Sequence, residues 1–263
     1  MKGALHVHST YSDGEFTLPE LRQIFLGDGC RFVCISDHAE YFDIARLNEY
    51  FAQCKSLSDD KLFFVTGMEF TCDRGMHILG YGASHRIDST DPETVIREIE
   101  AQEAIPVIAH PKNDHFDWIK GFQNLPRGIE AWNTKYDGRY APRPQTFELI
   151  RELQARRPDM RAFFGQDLHW KKQYRGLFVE LDSSASTNTD VLHALANGSY
   201  KGVKAELTLP STGALDEKLV TEFSTANANS RRMWTFLKEG KQMLDRAGIK
   251  VPESVKAQLR RIF

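Results

Sequence analysis

The chain has 263 residues, 34 Lys and Arg against 36 Asp and Glu for a net charge of -2, and 41% hydrophobic residues. That length suits a single α/β barrel or two smaller domains, with enough apolar material for a real core. The balanced charge argues against a protein that grips long nucleic acid or an anionic membrane, and no apolar run approaches the ~20 residues of a spanning helix. Cys30, Cys34, Cys54 and Cys72 form no C-x-x-C pair, so they read as reduced core thiols. The first strand begins by residue 4, leaving no room for a signal peptide, and a soluble cytoplasmic protein is expected.

Residues 3–8 read as a short strand. Side chains two apart on a strand leave the same face, so His6 and His8 are expected to lie about 7 Å apart by strand rise, within reach of one metal ion. Taken alone, the pair fits a half-buried strand that happens to carry two histidines equally well. Thr17-Leu18-Pro19-Glu20-Leu21 starts a helix: Thr17 is the N-cap, Pro19 fits the first turn and Glu20 complements the dipole. Leu21, Ile24 and Phe25 form its apolar stripe, and Gly27 and Gly29 end it. An apolar run then leads to Ser36-Asp37-His38.

That form recurs along the chain. Residues 62–69 end in Glu69, residues 76–81 carry His77, and residues 105–111 end in Ala109-His110-Pro111. Residues 128–133 carry Glu130, residues 161–169 end in Asp167-Leu168-His169, and residues 177–181 are a last strand candidate. Helical patterns at 45–57, 92–103 and 145–156 separate most of these runs. Alternating strands and helices predict parallel βαβ units, and polar groups collected at strand ends are the active-site geography of a (β/α) barrel. No Gly-rich phosphate loop follows the first strand, as an open doubly wound sheet would favour.

Past residue 182 the character changes to a polar loop at 183–189, a short helix at 190–196 ending at Asn197-Gly198, and one further strand at 203–209. From Leu215 the pattern is mainly helical, with Phe223, Trp234, Phe236, Leu237, Met243 and Leu244 expected to be buried and Pro252 interrupting it. Residues 241–263 carry six Lys or Arg against two acids, which reads as an amphipathic helix solvated on one side.

Taken together, the strand ends offer His6, His8, Asp13, His38, Glu69, His77, His110, Asp167 and His169. Separate core-histidine explanations for so many residues at one kind of position are improbable. Mixed imidazole and carboxylate ligation suits zinc, manganese or iron, and a glutamate can bridge two ions.

His6-x-His8-Ser9, Ser12-Asp13-Gly14, Ser36-Asp37-His38, Gly67-Met68-Glu69, Ala109-His110-Pro111 and Asp167-x-His169, in that order, resemble the motifs of the polymerase and histidinol phosphatase (PHP) family. The resemblance implies an α/β fold, a distorted (β/α)7 TIM-like barrel over residues 1–210 with additional C-terminal helices over 211–263 packed on it. It also implies three divalent metal ions (Zn, Mn or Fe). His6, His8, Glu69 and Asp167 would hold the first, and Glu69 would bridge to a second held by His77 and His110. Asp13, His38 and His169 would hold the third. Asp13 stands where some members of the family have histidine. Asp37 is expected to orient a ligating histidine.

The implied activity is metal-dependent phosphoester hydrolysis by a metal-bound hydroxide, with Glu69, Asp167 and His169 at the reacting centre and a small phosphorylated metabolite or short phosphodiester as substrate. Lys112, Lys135, Arg139 and Arg143 are the cations expected to bind phosphate, and Trp132 or Tyr136 could stack on an organic group. His115 reads as a surface histidine. Hydrolysis of a carboxyl ester or amide at the same centre, and a non-catalytic metal-bearing regulatory module, are the competing readings.

Overall fold

The structure is a computed structural model that describes residues 1–137 and 141–246. In chain order its elements are β1 (Lys2–Val7), α1 (Leu18–Gly27), β2 (Phe32–Ile35), α2 (Ile44–Ser56), β3 (Phe63–Val65), β4 (Gly67–Thr71), β5 (His77–Tyr81), α3 (Pro92–Ala101), β6 (Ile105–Ala109), α4 (Phe116–Gly121), β7 (Gly128–Asn133), α5 (Pro144–Gln154), β8 (Arg161–Gly165), β9 (Phe178–Leu181), α6 (Asn188–Asn197), β10 (Tyr200–Lys204), β11 (Leu207–Pro210) and α7 (Glu217–Arg246).

Helix starts follow local chemistry. Thr17 and Glu20 make a reciprocal capping box at α1, Asp43 caps α2 through the Arg46 amide, and Asp91 caps α3 through the Thr94 amide ahead of Pro92. Each supplies an acceptor to an otherwise orphaned first-turn N–H. The strands β2, β6 and β7 are buried at every residue. They are covered on both faces, which is why they read as unbroken apolar runs rather than alternating ones.

The strands form two sheets, a six-stranded one in the order β11-β10-β9-β1-β2-β3 and a five-stranded one in the order β4-β5-β6-β7-β8. The pairs β1–β2, β2–β3, β6–β7 and β7–β8 are parallel, as expected. β5 is not: it runs antiparallel to both β4 and β6, because only the tight turn at Asp73–Gly75 separates it from β4, too short for a parallel crossover. β9 is likewise antiparallel to β1. The strand expected at 203–209 is a hairpin, β10 and β11, turning at Ala205 with φ 49°.

The two sheets meet at two seams. At one, Gln166 N–H donates to Leu5 O, Leu168 N–H to His6 O and His8 N–H to Leu168 O. At the other, Glu69 N–H donates to Asp37 O, and a single bridge pairs His38 with Glu69. The regular ladders stop at these seams.

The first turns of α7 lie on the body, with Phe223 buried and Asn227 donating to Pro142 O. Phe236 and Met243 are 73% and 70% exposed, against the expectation of burial. The expectation for Leu237 holds in part, since it is half-buried. Pro252 and most of the basic 241–263 stretch lie outside the described residues. Among the described residues no helix is long and apolar enough to cross a membrane.

Candidate metal centre

The two seams bring several of the candidate ligands together. Residues 5–8 face residues 166–169 across one, and residues 37–38 face Glu69 across the other. Six non-glycine residues among those described have positive φ, and three of them are His6 (57°), His110 (27°) and Asp167 (50°). Such backbone costs on the order of 1–3 kcal/mol each and persists only where packing over-determines it. At His6 it coincides with a register break in β1 between Ala4 and Val7. His6 and His8 therefore do not converge by simple strand alternation. A bulge at His6 and the end of the strand at Val7 bring their rings to 5.1 Å between centroids.

Glu69 is the hub. It is 1% exposed, and its Oε2 lies 3.3 Å from His6 Nε2, 3.2 Å from His8 Nε2 and 3.6 Å from His38 Nδ1. Its Oε1 lies 2.8 Å from His77 Nδ1 and 3.2 Å from His110 Nε2. The two oxygens of one buried carboxylate thus face two different sets of imidazoles. Asp167 adds Oδ1 at 3.8 Å from His6, 3.7 Å from His8 and 3.1 Å from His169 Nδ1, with Oδ2 at 3.7 Å from His110. Asp13, at the exposed edge, reaches His169 Nε2 at 3.2 Å and His8 and His38 at 3.8 Å.

Four overlapping donor groups result, each with ligand atoms within 4.8 Å of one another: His6–His8–Glu69, His6–His110–Asp167, His38–Glu69–His77 and His8–Asp13–His38–His169. All nine residues singled out in the sequence belong to at least one group. The grouping is more interleaved than the sequence suggested, with His110 beside His6 and Asp167 and His38 shared between two groups.

The donor set fits divalent metal ions. Both ring nitrogens of His8 and Nδ1 of His38 are buried without a hydrogen-bond partner, a cost that a cation within the group would remove. Burial alone disfavours a charged His6, yet Glu130, Asp167 and Glu69 outweigh it and hold its pKa well above the ordinary value. His169 is also desolvated, and its contacts with Asp13 and Asp167 raise its pKa to about 9. His8 is dominated by burial and falls to about 3. Burial opposes ionisation of Glu69 and Asp167, but the surrounding imidazoles, His6 first, hold both well below the usual carboxylate range. Without metal the cluster is a proton-sharing network, and ligation must displace those protons.

Glu130 is the residue that sequence reasoning passed over. It is fully buried, with Oε1 2.8 Å from His6 Nδ1, while Oε2 accepts from the His110 amide and from Asn133 Nδ2, each at 2.9 Å. This one carboxylate orients a candidate ligand and fixes the strained turn at another. Its signal was an acid inside the otherwise apolar β7. Gly165 makes room for it: a Cβ there would stand 1.7 Å from Glu130 Oε1. Asp37, expected to orient a histidine, instead accepts from the amides and hydroxyls of Ser9 and Ser12 at 2.5–3.1 Å. It clamps the turn that presents Asp13. A Cβ on Gly14 would meet the His8 carbonyl at 2.6 Å, so this turn also needs its glycine.

The expected phosphate-binding cations part company. Lys135 reaches the cluster, its Nζ 3.1 Å from Asp167 Oδ1 and 3.4 Å from His169 Nδ1. Arg143 instead pairs through Nε with buried Asp137 at 2.6 Å and donates to Asn113 Oδ1 and Pro111 O. Burial raises the Asp137 pKa to about 6 even with Arg143 opposing the shift. Lys112 is exposed, with Nζ near Gly75, and Arg139 lies outside the described residues. Trp132 is fully buried and so cannot stack on a ligand, and His115 is buried rather than on the surface. A surface hollow lined by Asp43, Ile44, Ala45, Arg86 and Asp88 shares no residue with the cluster.

The sequence profile of the PHP domain matches residues 4–165, more than half of the chain. The chain belongs to the PHP domain family. All nine candidate ligands except Asp167 and His169 fall inside the matched PHP segment, and those two follow it directly. A 45-residue segment is 40% identical to the DNA polymerase/3'-5' exonuclease PolX of Bacillus subtilis (strain 168), covering 17% of this chain and 8% of that protein. The fold resembles a two-domain protein from Bacteroides vulgatus ATCC 8482 containing a predicted PHP-like metal-dependent phosphoesterase, with TM-score 0.54, 17% identity, and 79% of this chain and 66% of that one covered. It also resembles PsfC from Pseudomonas syringae PB-5123, with TM-score 0.51, 13% identity, and 87% and 98% covered. At such identities the likeness is one of fold.

Proposed function

We propose that this PHP protein is a metal-dependent phosphoesterase acting on a small phosphorylated metabolite or a short phosphodiester at a three-ion centre. The observation that carries the reading is Glu69, one buried carboxylate whose two oxygens face separate sets of histidines. A carboxylate so placed suits a bridge between neighbouring ions. Divalent ions held here would lower the pKa of water toward neutrality and offset phosphate charge.

The chain's own residues then have distinct tasks. Ions bound here would be held by His6, His8, Asp167 and Glu69, by Glu69 with His77 and His110, and by Asp13, His38 and His169, sets that interleave in the donor groups. Glu130 keeps His6 in one tautomer and ring orientation by occupying its Nδ1. Lys135, with its ammonium beside Asp167, is placed to meet a phosphate oxygen as it approaches the cluster. Lys112, exposed two residues after His110, would add positive charge. Arg143 contributes indirectly, by holding the loop that presents Lys135 through Asp137.

The test is a screen of metal-stripped protein and of protein reloaded with Mn, Zn or Fe against phosphomonoesters, phosphodiesters and carboxyl esters. Hydrolysis of a phosphoester by reloaded protein only, lost in Glu69→Gln, is the expected result. Turnover of carboxyl esters alone would move the protein to the amide and ester hydrolases, and no turnover of any class would favour a metal-bearing regulatory module.

A further inference from the structure

Four of the exposed large side chains among the described residues are aromatic, Tyr41 at 48%, Tyr136 at 56%, Trp170 at 40% and Phe236 at 73%. Phe236 is on α7. Each of the other three stands against a different histidine of the metal centre. Tyr136 is 4.5 Å from His110, Trp170 is 5.6 Å from His169 and Tyr41 is 6.3 Å from His38, between ring centroids. Exposed apolar residues scattered singly need no explanation, but three aromatics gathered on one set of ligands do. Two of them carry a cation. Lys135 Nζ lies 5.0 Å from the Tyr136 ring centre and Lys172 Nζ lies 5.2 Å from that of Trp170.

We infer that the substrate is the phosphate ester of an organic group bearing a flat aromatic ring, with Tyr136 as its stacking platform and Trp170 as a second. The inference rests on the phosphoesterase reading and names the class of substrate for the same site. Lys135 links the two halves of the argument. Its ammonium is 3.1 Å from Asp167, and it also lies beside the Tyr136 ring. A phosphate that meets this ammonium above the cluster has its organic group next to Tyr136. A wholly polar alcohol would leave that half-exposed aromatic face in water. A planar ring buries it and gains offset stacking. The nearby lysines suit an anionic ligand rather than a neutral or cationic one.

The experiment measures binding of two non-hydrolysable probes, phenylphosphonate and methylphosphonate, to metal-loaded protein by titration calorimetry. Phenylphosphonate is expected to bind about ten-fold tighter or more, the scale that one stacked ring supplies. Tyr136→Ala should close most of that gap, Tyr136→Phe should keep it, and Trp170→Ala should narrow it, with methylphosphonate affinity and metal content unchanged in all three. Equal affinity for the two probes, as expected if the rim served a protein partner, would overturn the inference and leave the phosphoesterase reading standing. A gap that survives both alanine variants would also overturn it. Failure of both probes to bind would remove the phosphoesterase reading and this inference together.

Discussion

The metal cluster and the loop that follows β7 lie side by side but are built on opposite plans. In the cluster, nine side chains come from seven places along the chain and are held by strained backbone at His6, His110 and Asp167, two of which flank the fully buried Glu130. In the loop, neighbouring residues part ways: Lys135 turns to Asp167, Tyr136 is exposed against His110, and Asp137 turns inward to meet Arg143. The cluster has its positions dictated by where two sheets meet. The loop has its positions dictated by which partner each side chain finds. Residues of the first kind are expected to carry chemistry, and residues of the second kind selectivity.

The largest effect should come from the hub. Glu69→Gln should lower turnover by on the order of 10³ or more, the scale of losing several kcal/mol of charge stabilisation, while the fold persists. Near-normal turnover with full metal content would break the comparison at its centre. Arg143→Ala should act through stability, by about 3 kcal/mol in denaturant unfolding, because it leaves the buried Asp137 carboxylate without its cation. Unchanged unfolding together with a raised KM would return Arg143 to direct substrate binding. Glu130→Gln should weaken metal binding about 10–100-fold with little change in unfolding, the usual cost of disturbing a residue that orients a ligand. Phe236→Ser, at an exposed site, should change stability by less than about 0.5 kcal/mol; a larger loss would show that the far half of α7 packs in solution.

A pH series sharpens the same contrast. In metal-free protein the His169 pKa is raised to about 9 by Asp13 and Asp167 acting against burial, whereas an unfolded histidine titrates near 6.5. The stabilisation it gives is therefore complete below about 6.5 and is lost as pH climbs through about 9. Melting temperature of metal-free protein should fall across that window. Metal-loaded protein should not show this fall, because ligation has already displaced the proton.

Much of the cluster was legible because strand-end histidines and carboxylates repeat a recognisable form, and all nine fall into the donor groups the structure displays. Sheet direction was less legible. Nothing in the apolar run at 76–81 distinguishes an antiparallel insert from a parallel strand except the shortness of the turn before it. Glu130 was given no role and Asp37 was expected to orient a histidine, whereas Glu130 meets His6 and Asp37 clamps the turn at Ser9 and Ser12, because a sequence shows which acids are near ligands in the chain but not which reach them across the sheet. The ion pair of Arg143 was hidden for a related reason. Its partner Asp137 is only six residues away, yet burial of that aspartate is a tertiary fact. Along α7, Phe223 is buried while Phe236 and Met243 are exposed, since helical periodicity does not say where the supporting body ends.

The central claim is that Glu69 joins two ion sites into one centre. Elemental analysis of wild-type and Glu69→Gln protein, each reloaded with excess Mn or Zn and then freed of unbound metal without chelator, tests it most directly. The account predicts about three ions per chain in wild type and loss of about two in the variant, with the ion at Asp13, His38 and His169 retained. A ceiling of about one ion in wild type, or full metal content in the variant, would contradict it.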